Sequence, residues 1–363
     1  QPSLSALALS VGGNEVYLNP TFKNSVYEYT ADISSAVETV LVAATPKDAS
    51  CTVTYNGQTD NNVDIKDTDT IVVRVEKDGI YSEYTIKLNK KTAYTVKFET
   101  YPANAVVRLQ DAKKAVLTPN AEGVYENLMP DIDYTWIVTC KGYITKTGTL
   151  NNPAQLTNGV LSVILSAAPA SSLPDYSGEW PTFRNSKNNN ALTNSVTPDS
   201  AETAELKWVK KYGSGWGPKA VNLPIIVNNH VYIARNDDIF CLSKDTGEAV
   251  VSGKLASPQG GYGTNSMVYA EGMVFVQLGN GHIQALRADT LESLWVTESI
   301  GDQTISPITY YNGYIYTGTW GGETKEQNFA CFSVTDEDTT NGFETKYATW
   351  LRPHAGGYYW VGA

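Results

Sequence analysis

Three histidines, four cysteines and one short aspartate run are the groups from which this 363-residue chain could build reactive chemistry. A serine-type hydrolase needs an imidazole held beside a nucleophile. His230, in NNHV, and His282, in GNGHI, stand at strand edges beside turns. No G-x-S-x-G elbow accompanies them. The third, His354, lies in RPHAGG, and the three together lack zinc-ligand spacing. Asp64, Asp67 and Asp69, in DIKDTDT, read as a solvated turn rather than a calcium site. Cys51, Cys140, Cys241 and Cys331 read as four buried free thiols. An extracellular protein without disulfides would suit an anaerobic habitat. No catalytic residue, metal ligand or enzyme activity is expected.

The elements that carry these residues are strands. Hydrophobic residues make up 42% and charged residues 18%, the balance of a folded chain. Twenty-three Tyr and 29 Gly, with hardly any sustained 3.6-residue apolar period, point to an all-β protein. A net charge of −11 argues against nucleic acid, whose phosphates need a basic face. It suits a secreted protein that must stay soluble. No apolar run is long enough for a transmembrane segment. The chain opens at Gln1 without a signal peptide and reads as a mature or trimmed form.

Residues 1–91 alternate apolar and polar positions in VETVLVAATP, TIVVRVEKDG and SEYTIKLNK, the pattern of half-buried antiparallel strands in a sandwich. Residues 92–168 add strand pairs around a Pro break and around Lys141-Gly142-Tyr143. A linker rich in Ala, Ser and Pro covers 169–179. From 180 to 363 the chain repeats. Asp245 and Asp289, in KDTGE and ADTLE, lie 44 residues apart, and Gly272 and Gly313 lie 41 apart. A period near 42 with four short strands is the signature of propeller blades. Cys241, Ala285 and Cys331 then share one repeat position. Trp295 and Trp350 fall on outer strands, and Trp208 on a lone outer strand. The count gives three full blades plus partial strands. The final GGYYWVGA begins another inner strand, so the sequence reads as part of a longer propeller.

Each segment also resembles a known family. LSALALSVGG, LNPTFKNSVYEYTADI and VEKDGIYSEYTIKLNK resemble the bacterial cadherin-like β-sandwich. ETYPANAVVRL and KGYITKTGTL resemble the PEGA-type or carboxypeptidase-regulatory-like small sandwich. GEWPTFRNSKNNNALT and the repeats resemble the quinoprotein (PQQ)-like, WD40-like β-propeller. That last resemblance implies a fold shared by dehydrogenases, assembly scaffolds and binding proteins. Its dehydrogenases stack a quinone on a Trp beside a disulfide of adjacent cysteines, over calcium. This chain has no adjacent cysteine pair, so no bound quinone or other cofactor is expected.

In a propeller, the connections from outer to next inner strand share one end with those between second and third strands. They would bring Trp216, Tyr262, Asp302, Gln303, Arg352, His354, Tyr358 and Trp360 to the channel mouth, with Trp320 in the insertion TWGGETKEQN. Aromatic faces among polar groups suit a glycan, a peptide or a small ligand. The expectation is a bacterial extracellular or cell-surface binding or adhesion protein, with the sandwiches as stalk. An enzyme acting on carbohydrate at that face and a surface assembly scaffold are the alternatives.

Overall fold

The computed structural model describes residues 1–186, 188, 190–259 and 267–358. Among them the regular structure is strand, with two single-turn 3-10 helices. The chain divides into two compact units. One holds Gln1–Glu99, Gln110–Thr135 and Thr149–Ser162; the other holds Thr100–Leu109, Trp136–Gly148 and the chain from Val163 onward.

The first unit opens with eight strands: β1 (Leu4–Val11), β2 (Asn14–Val16), β3 (Glu28–Ser34), β4 (Thr39–Pro46), β5 (Thr52–Tyr55), β6 (Asn62–Asp64), β7 (Thr70–Lys77) and β8 (Ile80–Lys91). They form sheets of order β2-β1-β4-β6 and β3-β8-β7-β5. Period-2 alternation sends Ile71, Val73 and Val75 of β7 inward with Ile86 of β8. These meet Leu4, Leu9, Val40 and Val42 of the other sheet in one core. One pairing departs from the antiparallel expectation. β3 runs parallel to β8, with Glu28 opposite Thr85 and Ser34 opposite Lys91. Strands this far apart in sequence need no hairpin between them, so nothing forces the antiparallel sense. In DIKDTDT, the Asp64 carboxylate accepts the Lys66 amide at 2.8 Å and Asp69 accepts the Thr70 hydroxyl at 3.0 Å.

Strands β9 (Tyr94–Tyr101), β10 (Val106–Gln110), β11 (Val116–Leu117), β12 (Val124–Leu128), β13 (Tyr134–Thr139), β14 (Lys146–Leu150) and β15 (Val160–Ile164) follow. Their sheets have orders β11-β10-β13-β14 and β12-β9-β15. The division between the two units runs through this region rather than at its ends.

The second unit carries three four-stranded repeats. Blade 1 is β17 (Ile225–Val227), β18 (His230–Arg235), β19 (Asp238–Ser243) and β20 (Ala249–Lys254), with β16 (Gly178–Trp180) added beside β17. Blade 2 is β21 (Val268–Ala270), β22 (Met273–Gln277), β23 (Ile283–Arg287) and β24 (Ser293–Thr297). Blade 3 is β25 (Thr309–Tyr311), β26 (Tyr314–Gly318), β27 (Glu326–Ser333) and β29 (Trp350–Ala355). The excursion between β27 and β29 contributes β28 (Glu344–Lys346), which pairs parallel to β24 outside blade 2. First strands β17, β21 and β25 approach one another in order, which makes them the inner strands.

The registers are identical. Tyr232 faces Ile225 and Cys241; Phe275 faces Val268 and Ala285; Tyr316 faces Thr309 and Cys331. Blade 2 lies between the other two and is buried on both faces. Its Val274 and Val276 join the core with blade 1, while Met273 and Phe275 join the core with blade 3. That is why MVFVQ is apolar without alternation, as strands buried on both faces are.

Two placements of outer tryptophans are corrected. No strand covers Trp208; its indole Nε1 donates to the Lys244 carbonyl at 2.8 Å, at the turn that opens β20. Trp295 lies on the fourth strand but is fully buried, because β28 covers it. Trp350 is on the outermost strand of its sheet, as expected.

Candidate functional site

The candidate site is built from the loops at the end of the blades where β18–β19, β22–β23 and β26–β27 turn. The chain leaving each outer strand runs back between two of these turns. After blade 1, Gln259 donates its amide to Asn236, and Gly279 of the next turn donates to Pro258. After blade 2, the Ile300 amide donates to Gly281 at 3.0 Å, and Gln303 and Trp320 exchange two backbone bonds at 2.9 Å. After blade 3, Tyr358 donates to Thr319 and Gly356 to Lys325.

Buried neutral polar side chains fix this lattice. Gln277, at the end of β22, donates to the Thr317 hydroxyl and the Ser306 carbonyl. The Thr319 hydroxyl donates to Ile300, the Thr304 hydroxyl to Leu278, and the Ser306 hydroxyl to Tyr358. Gln327 spans the Asp302 turn. Its Oε1 accepts the Asp302 amide at 2.7 Å and its Nε2 reaches the Asp302 carboxylate at 3.5 Å. Gln327 uses both ends of its amide, and a buried amide paired in this way orders a surface, because each lost bond would leave a desolvated group unpaired.

The structure gathers six of the expected site residues around blade 3. Asp302 is exposed and takes Lys325 Nζ at 3.1 Å. Gln303 and Trp320 are half-buried and joined by their backbones. Arg352 and His354 project from β29. The Arg352 guanidinium lies 5.6 Å from the Trp350 ring, and the His354 ring lies 5.8 Å from that of Tyr358. Tyr358 is packed rather than open. Its ring lies 5.2 Å from Phe329, its hydroxyl donates to the Arg352 carbonyl at 3.0 Å, and burial pushes its phenol pKa up. Trp216 stands at another turn, capping the 3-10 helix Gly217–Lys219 with 74% of its surface exposed. Tyr262 and Trp360 lie outside the described residues.

Sequence reasoning missed Lys325, Gln327 and Gln277, the side chains that lock the loops. The signal was present for Gln277, an amide closing an apolar strand, VFVQ. The other two histidines anchor strand ends: His230 Nδ1 lies 2.7 Å from the Asn228 carbonyl and His282 Nδ1 2.7 Å from that of Thr297. All four thiols are unpaired; Cys140, Cys241 and Cys331 are buried, but Cys51, expected to be buried with them, is half-buried. Among the described residues, no group of three or more His, Cys, Asp or Glu is placed to hold a metal ion.

This arrangement of repeats has a named counterpart. Residues 193–323 match the family model of outer membrane protein assembly factor BamB. The BamB-like match covers the approach to blade 1, blades 1 and 2 and the first half of blade 3. Residues 4–101 match the cadherin-like beta sandwich domain. The likeness of residues 92–168 to a PEGA-type module rests on the sequence alone. No curated protein matches the chain closely enough to count as a relative.

Among solved structures, a europium-containing methanol dehydrogenase is 15% identical with a TM-score of 0.38. The match covers 48% of this chain and 32% of that one. BamB from Moraxella catarrhalis is 20% identical over 32% of this chain and 34% of its own, with a TM-score of 0.26. A quinonprotein alcohol dehydrogenase-like protein from Bacteroides thetaiotaomicron is 10% identical over 72% of this chain and 60% of its own, with a TM-score of 0.27. The chain thus spans about a third of the length of the first two. Likenesses this distant carry no chemistry across. BamB-like propellers and cadherin-like domains together fit a surface or assembly protein of bacteria. No helix among the described residues is long and apolar enough to cross a membrane.

Proposed function

We propose that this chain is a non-enzymatic binding protein of the bacterial surface or periplasm that engages a partner polypeptide with the loop end of its propeller. The sandwich modules, residues 1–91 and 92–168, serve as the stalk, and 169–179 as the linker. The observation that carries the reading is the bracket at blade 3. Asp302, Lys325, Arg352 and His354 are exposed on loops pinned from beneath by buried Gln327, Thr319 and Ser306. A preordered surface loses little entropy on binding. Its mixed charges suit a polypeptide better than a neutral ligand. Trp216, exposed at the turn before Gly217–Lys219, supplies the kind of aromatic anchor that such interfaces favour. The match to an assembly factor supports a protein partner. Within the face Asp302 pairs with Lys325 at 3.1 Å, and the His354 ring lies tilted at 5.8 Å from that of Tyr358.

The test is selection of peptides from a random display library on the purified protein. Selected peptides should bind the parent chain and lose about tenfold or more in affinity to Trp216→Ala and to Arg352→Ala. Peptides that bind both variants as well as the parent would contradict the assignment. Glycans that bind the parent, and are lost in the same variants, would replace the polypeptide with a sugar.

A further inference from the structure

At the opposite end of the inner strands lies a second concavity. Strands β21 and β25 leave the loop face and end in tight turns at Glu271-Gly272 and Asn312-Gly313, so their last residues point away from Asp302. A cavity of about 230 Å³ opens there, walled by Tyr269, Tyr310 and Tyr311, by Asn312, and by Asn185 and Ser186 of the lead-in segment. Its remaining described walls are Thr, Val and Pro. No charged side chain is among them, in a protein whose net charge is −11.

Two of the rings are held. The Tyr269 hydroxyl accepts the Tyr176 amide at 2.7 Å, and its ring stacks on that of Tyr176. The Tyr310 hydroxyl donates to Glu271 Oε1 at 2.5 Å and accepts the Gly313 amide at 3.1 Å. Glu271 is thereby engaged, and Lys141 pairs with it at 3.4 Å. The lead-in segment is drawn against the same wall where the Tyr269 amide donates to Pro181.

We infer that this cavity is a binding site for one neutral saccharide unit, independent of the loop face. Fixed tyrosine rings beside amides and hydroxyls, without charge, match a ligand that has apolar C–H faces and an uncharged hydroxyl rim. The volume lies below the roughly 300–1,000 Å³ of sites for drug-sized ligands, which favours a single ring.

The test is saturation-transfer NMR of the whole chain with methyl glucoside, methyl galactoside and N-acetylglucosamine, against glucuronate and glucosamine as charged controls. At least one neutral sugar should bind, and each charged control should bind about tenfold more weakly. Tyr311→Ala should weaken the neutral sugar about tenfold. Tyr311 is 54% exposed, so the fold should survive. Asn312→Gly keeps the left-handed turn, at φ +48°, removes only the amide, and should also weaken binding. Trp216→Ala should leave it unchanged. The inference fails if no neutral sugar binds the parent, if both cavity variants bind like the parent, if the charged controls bind equally, or if Trp216→Ala abolishes the signal.

Discussion

Cys241 and Cys331 occupy the same point of two different blades. Cys241 stands opposite Tyr232 and Val251, and Cys331 opposite Tyr316 and Trp350. Equivalent positions on separate sheets cannot meet, and both thiols are buried and unpaired. Burial pushes the Cys331 thiol up to about 12 and raises those of Cys241 and Cys140. A chromogenic thiol titration of the native protein should therefore show fast reaction only at half-buried Cys51, and at all four cysteines in denaturant. Fast labelling of Cys241 or Cys331 in the native state would contradict the register.

Blade 2 carries Ala285 at that same point, between Phe275 and Trp295. The position thus accepts a methyl group. Cys241→Ala should cost about 1–1.5 kcal/mol in urea unfolding, the range of a small core truncation. A loss above about 3 kcal/mol would mean that the thiol fills space that the register does not explain.

How much of this was legible in the sequence depends on what each residue touches locally. Turn chemistry was readable: KDTGE and ADTLE repeat because Gly247, at φ +69°, and Leu291, at φ +58°, take the same left-handed corner. The repeat period and the apolar strands gave the blades, because each strand's pattern reports its own burial. The pairing of β3 with β8, the cover that β28 lays over Trp295, and the Asp302–Gln327 bracket were not legible. All three depend on partners brought in from 25 to 57 residues away, and nothing in the local pattern marks them. Trp208 misled because an alternating stretch, AELKWVKKY, reads as a strand whether or not an edge exists to receive it.

The loop face depends on one close glycine pair. A side chain on Gly281, at φ +77°, would lie 2.2 Å from the Gly301 carbonyl oxygen. Gly281→Ala should cost more than about 1 kcal/mol and break the Ile300–Gly281 bond. Faster amide exchange at Ile300 would report it; unchanged exchange and stability would show that the loops yield without cost.

Lys346 is buried against Glu337, which also accepts the Thr145 amide and hydroxyl. Lys346→Met alone should cost about 3–5 kcal/mol, since it strands a buried carboxylate. The double change Lys346→Met, Glu337→Leu should recover much of that loss. A double variant no better than the sum of the two single changes would remove the pair as the cause.

Asp336 has its carboxyl pKa raised by burial, against the opposing effect of Lys346. The folded state therefore holds this proton to higher pH than the unfolded state does. Its contribution favours folding below the unfolded value and is lost as pH rises through the folded one. Asp336→Asn should raise the melting temperature at pH 7, and the gain should shrink toward pH 4. A gain that grows on acidification would reverse the sign and the assignment.

The most direct measurement of the central claim is hydrogen–deuterium exchange of the chain with and without a saturating selected peptide. The account predicts protection in residues 298–304, 319–325 and 352–358, around Trp216, and little change along β20 and β28. Protection confined to those outer strands, with the loop segments unchanged, would place recognition on the blade edges and contradict the loop face as the binding surface.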